Sequence, residues 1–144
     1  MKRTIFSSLI IALIIGSCTQ EKKSPIEGGW KLVYAKWASM DESFPDRITG
    51  IDVKMWTKDC FVFAGKLQLD TLKVDSYGWG KYKNIEGNKY EEEVIYHHTG
   101  ESLIGTRIKM LIEVRNDTLI QKWATDENWN LREKYNIEKY VRLE

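Results

Sequence analysis

Two adjacent histidines, His97 and His98, and a run of three glutamates, Glu91 to Glu93, are the side chains most able to move protons or hold a metal. Both groups lie in one segment, KYEEEVIYHH, whose composition reads as an extended strand. Neighbours in a strand point to opposite faces, so His97 and His98 do not ligate one ion together. Zinc would need further His, Cys or carboxylate ligands, and neither a metal nor a cofactor is expected. Glu91 and Glu93 share a face but have no evident acid–base partner, and they read as a solvated strand. Ser76 and Ser102 stand in no nucleophile-elbow context, and no glycine-rich phosphate loop occurs. An enzyme is therefore not expected. Cys60, in DCFVFAG, reads as a small buried apolar residue.

The aromatic residues suggest binding instead. There are six tryptophans, seven tyrosines and four phenylalanines. Most will fill a core, yet small-molecule pockets also have apolar and aromatic walls with a few polar groups. Tyr34, Trp79, Tyr82, Tyr90, Tyr96 and Trp123 are the candidate wall of a site for a small apolar or amphipathic ligand.

The elements that position these residues read as strands throughout. Eight runs rich in aromatic and β-branched residues recur: 30–37, 51–56, 60–67, 71–84, 89–98, 106–114, 118–125 and 134–143. EGN at 86–88 and RND at 115–117 favour positive φ and tight hairpins, and WTKDC makes a short polar turn. The expected fold is all-β, an antiparallel up-and-down barrel of about eight strands. A barrel of that size is either filled by side chains or just wide enough for one ligand. In the sixth run Ile108, Met110, Ile112 and Val114 share one face, as a half-buried strand requires. In the fifth, strict alternation puts Tyr90, Glu92, Val94, Tyr96 and His98 together, a face of mixed polarity. It is either the wall of a partly polar cavity or one side of a strand wet on both faces. Were it a wall, Glu92 would need a cationic partner such as Arg107. The loop Ala38–Gly50, with Pro45, is a candidate lid over one end.

The N-terminus suggests an address. Lys2 and Arg3 precede a short apolar run, Ile5 to Ile15, then Gly16, Ser17 and Cys18. This is the layout of a secretory signal, too short to span a bilayer, which takes about 20 apolar residues. IGSC, residues 15–18, resembles a bacterial lipobox. The resemblance implies cleavage before Cys18, diacylglycerol on its sulfur, and an anchored protein of the cell envelope at the outer membrane or cell surface. The expected organisation is a signal peptide at 1–17, a lipidated cysteine and tether at 18–26, and a barrel domain at 27–144. Without Lys2 and Arg3, 20 basic residues face 21 acidic ones, a net charge of −1. That balance argues against a nucleic-acid partner. The expected state is a monomer whose contacts are a small molecule and, through Cys18, a membrane.

GGW at 28–30 opens the first strand, and Arg142 lies in the last. The pair resembles the Gly-X-Trp signature of the lipocalins and other calycin barrels. There the tryptophan closes the barrel floor and an arginine from the last strand packs across its ring. The resemblance implies barrel-closing roles for Gly28, Trp30 and Arg142. GGWKLV, KMWTKDCFVFAG, SYGWGKYKNIEGNKYEEEV and SLIGTRIKMLIEVRNDTLIQKW extend it to small lipocalin-like lipoproteins of Bacteroides-type bacteria, over most of Gly28 to Trp123. EKYVRL departs from that pattern, with Tyr140 where tryptophan is commoner. The resemblance implies a barrel that binds a small molecule. The other reading is a filled barrel that serves as a protein-interaction module at the envelope.

Overall fold

Residues 23–144, those described by the computed structural model, form nine strands. They are β1 (Gly28–Lys36), β2 (Ser43–Phe44), β3 (Ile48–Trp56), β4 (Cys60–Leu69), β5 (Leu72–Glu86), β6 (Lys89–His97), β7 (Arg107–Arg115), β8 (Thr118–Thr125) and β9 (Leu131–Arg142). The expected signal peptide, Cys18 and the expected tether up to Lys22 lie outside the described residues. From β3 to β9 each strand pairs antiparallel with the next, and β1 joins β3 to β9. The result is a closed, eight-stranded, up-and-down antiparallel barrel. Closure leaves no long sheet edge exposed. β2 is a two-residue addition paired to Ala35 and Lys36 of β1. It lies in the segment expected as a loop, Ala38–Gly50, whose last residues from Ile48 on instead begin β3, and it buries Phe44. A 3₁₀ turn, Glu101–Leu103, joins β6 to β7. No helix among the described residues is long and apolar enough to cross a membrane.

The hairpins follow the turn chemistry. Gly87 and Asn116 adopt positive φ, 55° and 54°, in the β5–β6 and β7–β8 turns. In the β3–β4 turn, the Thr57 N–H donates to the Cys60 carbonyl at 2.9 Å.

One end of the barrel is packed shut. Trp30 is fully buried, and its Nε1–H donates to the Ile26 carbonyl at 2.7 Å. The Arg142 guanidinium lies 4.1 Å from the Trp30 ring centroid. It also donates to the Glu27 and Pro25 carbonyls, at 3.1 and 3.2 Å, so it ties the incoming chain across the barrel floor. Gly28 is needed here for two reasons. Its φ is 124°, and a Cβ would sit 2.9 Å from Arg142 Nη1. Above this floor pack Trp56, Phe61, Tyr82, Tyr90, Leu119 and Tyr140, all buried.

Candidate functional site: a hollow with a charged floor

The other half of the barrel is hollow. A cavity of about 550 Å³ is lined by residues of all eight long strands, together with Trp37, Ser39 and Met40 after β1 and Thr99 and Leu103 between β6 and β7. That volume falls within the range of small-molecule sites, roughly 300–1,000 Å³. Its upper walls are apolar: Trp37, Met40, Phe63, Leu67, Val74, Leu103, Ile108 and Trp123. Its floor is polar: Asp52, Lys54, Glu92, Gln121, Glu138 and Tyr140.

Room for the hollow comes partly from glycines. Gly78 and Gly80 lie on the inward face of β5, opposite Phe63 and Phe61 of β4. A Cβ at Gly78 would come within 2.6 Å of the Phe63 ring, and one at Gly80 within 2.7 Å of the Phe61 ring. The two phenylalanine rings thus lie where side chains from β5 would otherwise be.

Strand alternation brings the polar groups inward. Asp52, Lys54 and Trp56 follow one another on the inner face of β3, and all three are buried. Lys54 Nζ donates to both oxygens of Glu92, at 2.8 and 2.9 Å. Trp56 Nε1–H donates to the same carboxylate at 3.1 Å. The ammonium also lies 4.6 and 4.7 Å from the Trp56 and Phe61 ring centroids. Beside this pair, Glu138 accepts from Trp37 Nε1 at 2.8 Å and from Gln121 Nε2 and the Tyr140 hydroxyl at 2.5 Å each. Burial, and then the negative charge of Glu138, raise the Tyr140 hydroxyl well above its ordinary range.

Asp52 is the strained member. Burial raises its pKa from 3.8 to about 6, against a hydrogen bond from Ser76; the Glu138 charge raises it further and Lys54 opposes. Its folded-state pKa exceeds the unfolded one. Its contribution to stability is therefore full below about pH 3.8 and is lost as pH rises through about 6. Asp52→Asn keeps the shape and an acceptor for Ser76. It is expected to stabilise the barrel by about 1–3 kcal/mol at neutral pH, and by far less near pH 4. Urea denaturation of both forms at the two pH values checks this; equal midpoints at neutral pH would show that Asp52 is not under such strain.

The expected wall residues are mostly elsewhere. Of the six, Trp123 alone lines the cavity. Tyr82 and Tyr90 point inward but belong to the packed floor below it. The Tyr82 hydroxyl donates to the Thr57 carbonyl at 2.6 Å, and burial pushes its pKa up to about 12. Tyr34 is outside, beneath the Lys139 ammonium at 5.0 Å. Trp79 and Tyr96 are outside and exposed, opposite one another across β5 and β6.

Tyr96 is outside because β6 does not alternate strictly. Gly80 pairs with Val94 and Trp79 with Tyr96, so Ile95 is an extra residue, a bulge. A bulge shifts the side-chain phase by one position. Tyr90, Glu92 and Val94 face inward as the alternation requires, but beyond the bulge His97 lines the cavity in place of Tyr96 and His98. His98 stacks on Tyr77 on the outer surface, with centroids 4.3 Å apart. His97 Nδ1 is buried without a hydrogen-bond partner, and burial followed by the charge of His98 lowers the His97 pKa. Arg107 pairs across strands with Glu93 at 3.7 Å, so the cationic partner of Glu92 is Lys54. Glu91 pairs with Lys83 at 3.0 Å on the same outer face. Cys60 is a free, half-buried thiol.

Among the described residues, no three His, Cys, Asp or Glu side chains are grouped to hold a metal ion. No family model matches the chain, and no curated protein matches it. The hollow thus has apolar walls above, and hydrogen-bonding and charged groups below.

Proposed function

We propose that this protein is a lipid-anchored barrel of the bacterial cell envelope that binds a small amphipathic molecule in its hollow half. The observation that carries the reading is the cavity of about 550 Å³ with aromatic walls and a buried polar floor. A barrel serving only as an interaction module has no need of such a hollow. A ligand with an apolar body and a polar head fits both layers, and His97 Nδ1, buried in the lining without a partner, is a further polar group it could meet. The Trp30–Arg142 stack and Gly28 support kinship with the lipocalin-like lipoproteins.

Filling the hollow tests the binding half of the proposal. Val94→Trp places an indole in the cavity, whereas Tyr96→Trp changes only the outer surface. The first is expected to weaken binding of an uncharged fluorescent probe, N-phenyl-1-naphthylamine, by roughly tenfold or more, and the second to leave it within about twofold. Equal affinity in both variants would place the probe outside the cavity.

The anchoring half rests on the segment before the barrel, IGSC followed by a polar stretch. Lipidation supplies two or three acyl chains, and stable attachment takes two such signals. Cys18→Ala is expected to move the protein from the membrane to the soluble fraction or to stall its processing. A variant that stays in the membrane fraction with unchanged mobility on a denaturing gel would refute the anchor.

A further inference from the structure

We propose that the ligand carries a protonated amine, or a comparable cationic head with several N–H donors, and that Asp52 and Glu138 receive it. The inference rests on the binding reading above and specifies its ligand class. The argument is one of charge inside the cavity. Among the described residues, its lining holds one ammonium, Lys54, and no arginine, against three carboxylates, Asp52, Glu92 and Glu138.

Lys54 and Glu92 neutralise each other through two short hydrogen bonds, at 2.8 and 2.9 Å. Asp52 and Glu138 form no ion pair among the described residues. Their donors are neutral: Ser76 for Asp52, and Trp37, Gln121 and Tyr140 for Glu138. Each carboxylate has about four lone-pair sites. Glu138 uses three, two of them on Oε2, and its single contact at Oε1 leaves room there for a further donor. Asp52 has more capacity to spare.

Two carboxylates in one enclosed space raise each other's energy. A cation between them removes that repulsion and gains charge-assisted hydrogen bonds, the stronger kind. An anionic head would meet the same field with the opposite sign, and would have to take Lys54 from Glu92 to find a partner. The aromatic lining agrees with this choice, because indoles such as Trp37 and Trp123 attract a cation as well as an alkyl chain. Burial and the Glu138 charge both oppose ionisation of Asp52, and a cation beside it would offset them.

Three molecules with one alkyl chain and different heads separate the possibilities. Purified protein is loaded with N-phenyl-1-naphthylamine near neutral pH, and octylamine, octanol and octanoate are titrated in as competitors. Octylamine is expected to displace the probe roughly tenfold better than octanol, and octanol better than octanoate. In Asp52→Asn and in Glu138→Gln, the ratio of octylamine to octanol affinity is expected to fall about fivefold or more. Equal affinity for amine and alcohol would overturn the assignment while leaving the hollow as a binding site. A preference for octanoate would overturn it in favour of Lys54 as an anion receptor. If the probe does not bind the wild-type protein at all, the binding reading fails, and this inference with it.

Discussion

Replacing Trp30 by alanine is expected to lower stability by about 3–5 kcal/mol, the cost of truncating a large buried aromatic. The ring is fully buried and meets three kinds of partner. It packs in the core of the closed end, donates to the Ile26 carbonyl, and lies beneath the Arg142 guanidinium. The stack alone is worth about 0.5–2 kcal/mol. The loss also frees Arg142, whose other bonds hold Pro25 and Glu27 across the floor. A domain of ordinary stability has about 5–15 kcal/mol in total, so the variant is expected to be partly unfolded at body temperature. Urea denaturation followed by circular dichroism measures the effect. A loss below about 1 kcal/mol would mean that the closed end does not depend on Trp30.

The second large effect concerns the buried pair, and it is expected to be asymmetric. Breaking a buried ion pair by removing one partner costs about 3–5 kcal/mol, because the other charge stays behind unpaired. Glu92→Gln leaves Lys54 near Asp52 and Gln121, either of which can take up part of the ammonium's interaction. Lys54→Met leaves Glu92, Asp52 and Glu138 in one cavity with no cation. It is therefore expected to be the more damaging change, toward the upper end of that range. Its sign with pH follows. Asp52, whose folded-state pKa is raised to about 6 even with Lys54 opposing, loses stability as pH rises, so Lys54→Met is expected to recover on moving from neutral pH toward pH 5. Replacing both partners by apolar residues, Lys54→Met with Glu92→Leu, is expected to cost less than Lys54→Met alone. Denaturation of the two single variants and the double variant at both pH values tests this. Additive losses with no recovery in acid would show that the pair is not the coupled unit described.

The barrel was legible in the sequence, and the reason is physical. Each of the eight long strands is a run of aromatic and β-branched residues bounded by turn residues such as Gly87 and Asn116, whose positive φ fits the hairpins. Trp30 and Arg142 were paired only through the resemblance to calycin barrels, and the structure brings them together because β9 closes on β1. The binding wall was less legible. Tyr34, Trp79 and Tyr96 have the composition of pocket residues but occupy outward phases. For Tyr96 the phase changes at the Ile95 bulge, which no side-chain pattern in KYEEEVIYHH announces.

A usable signal lay in the charged residues. Asp52, Lys54 and Trp56 alternate in IDVKMW, as Glu138 and Tyr140 do in IEKY. Charges on the same strand phase as a buried tryptophan must be buried with it, and buried charges need partners. Reading charge by strand phase would have found much of the polar floor. The partners themselves come from distant strands, as Lys54 and Glu92 do across the barrel, and required the fold.

The central claim is that the hollow half of the barrel takes up a small molecule, and methyl NMR tests it site by site. Ile, Leu, Val and Met methyls report on both faces of the barrel. Leu67, Val74, Ile108 and Met110 line the cavity, while Ile51, Met55, Val62 and Leu72 are exposed outside. On titration with N-phenyl-1-naphthylamine, saturable shifts are expected at the first four and not at the second four. Shifts confined to Met55 and Val62, or no saturable shift at any of the eight, would contradict the account.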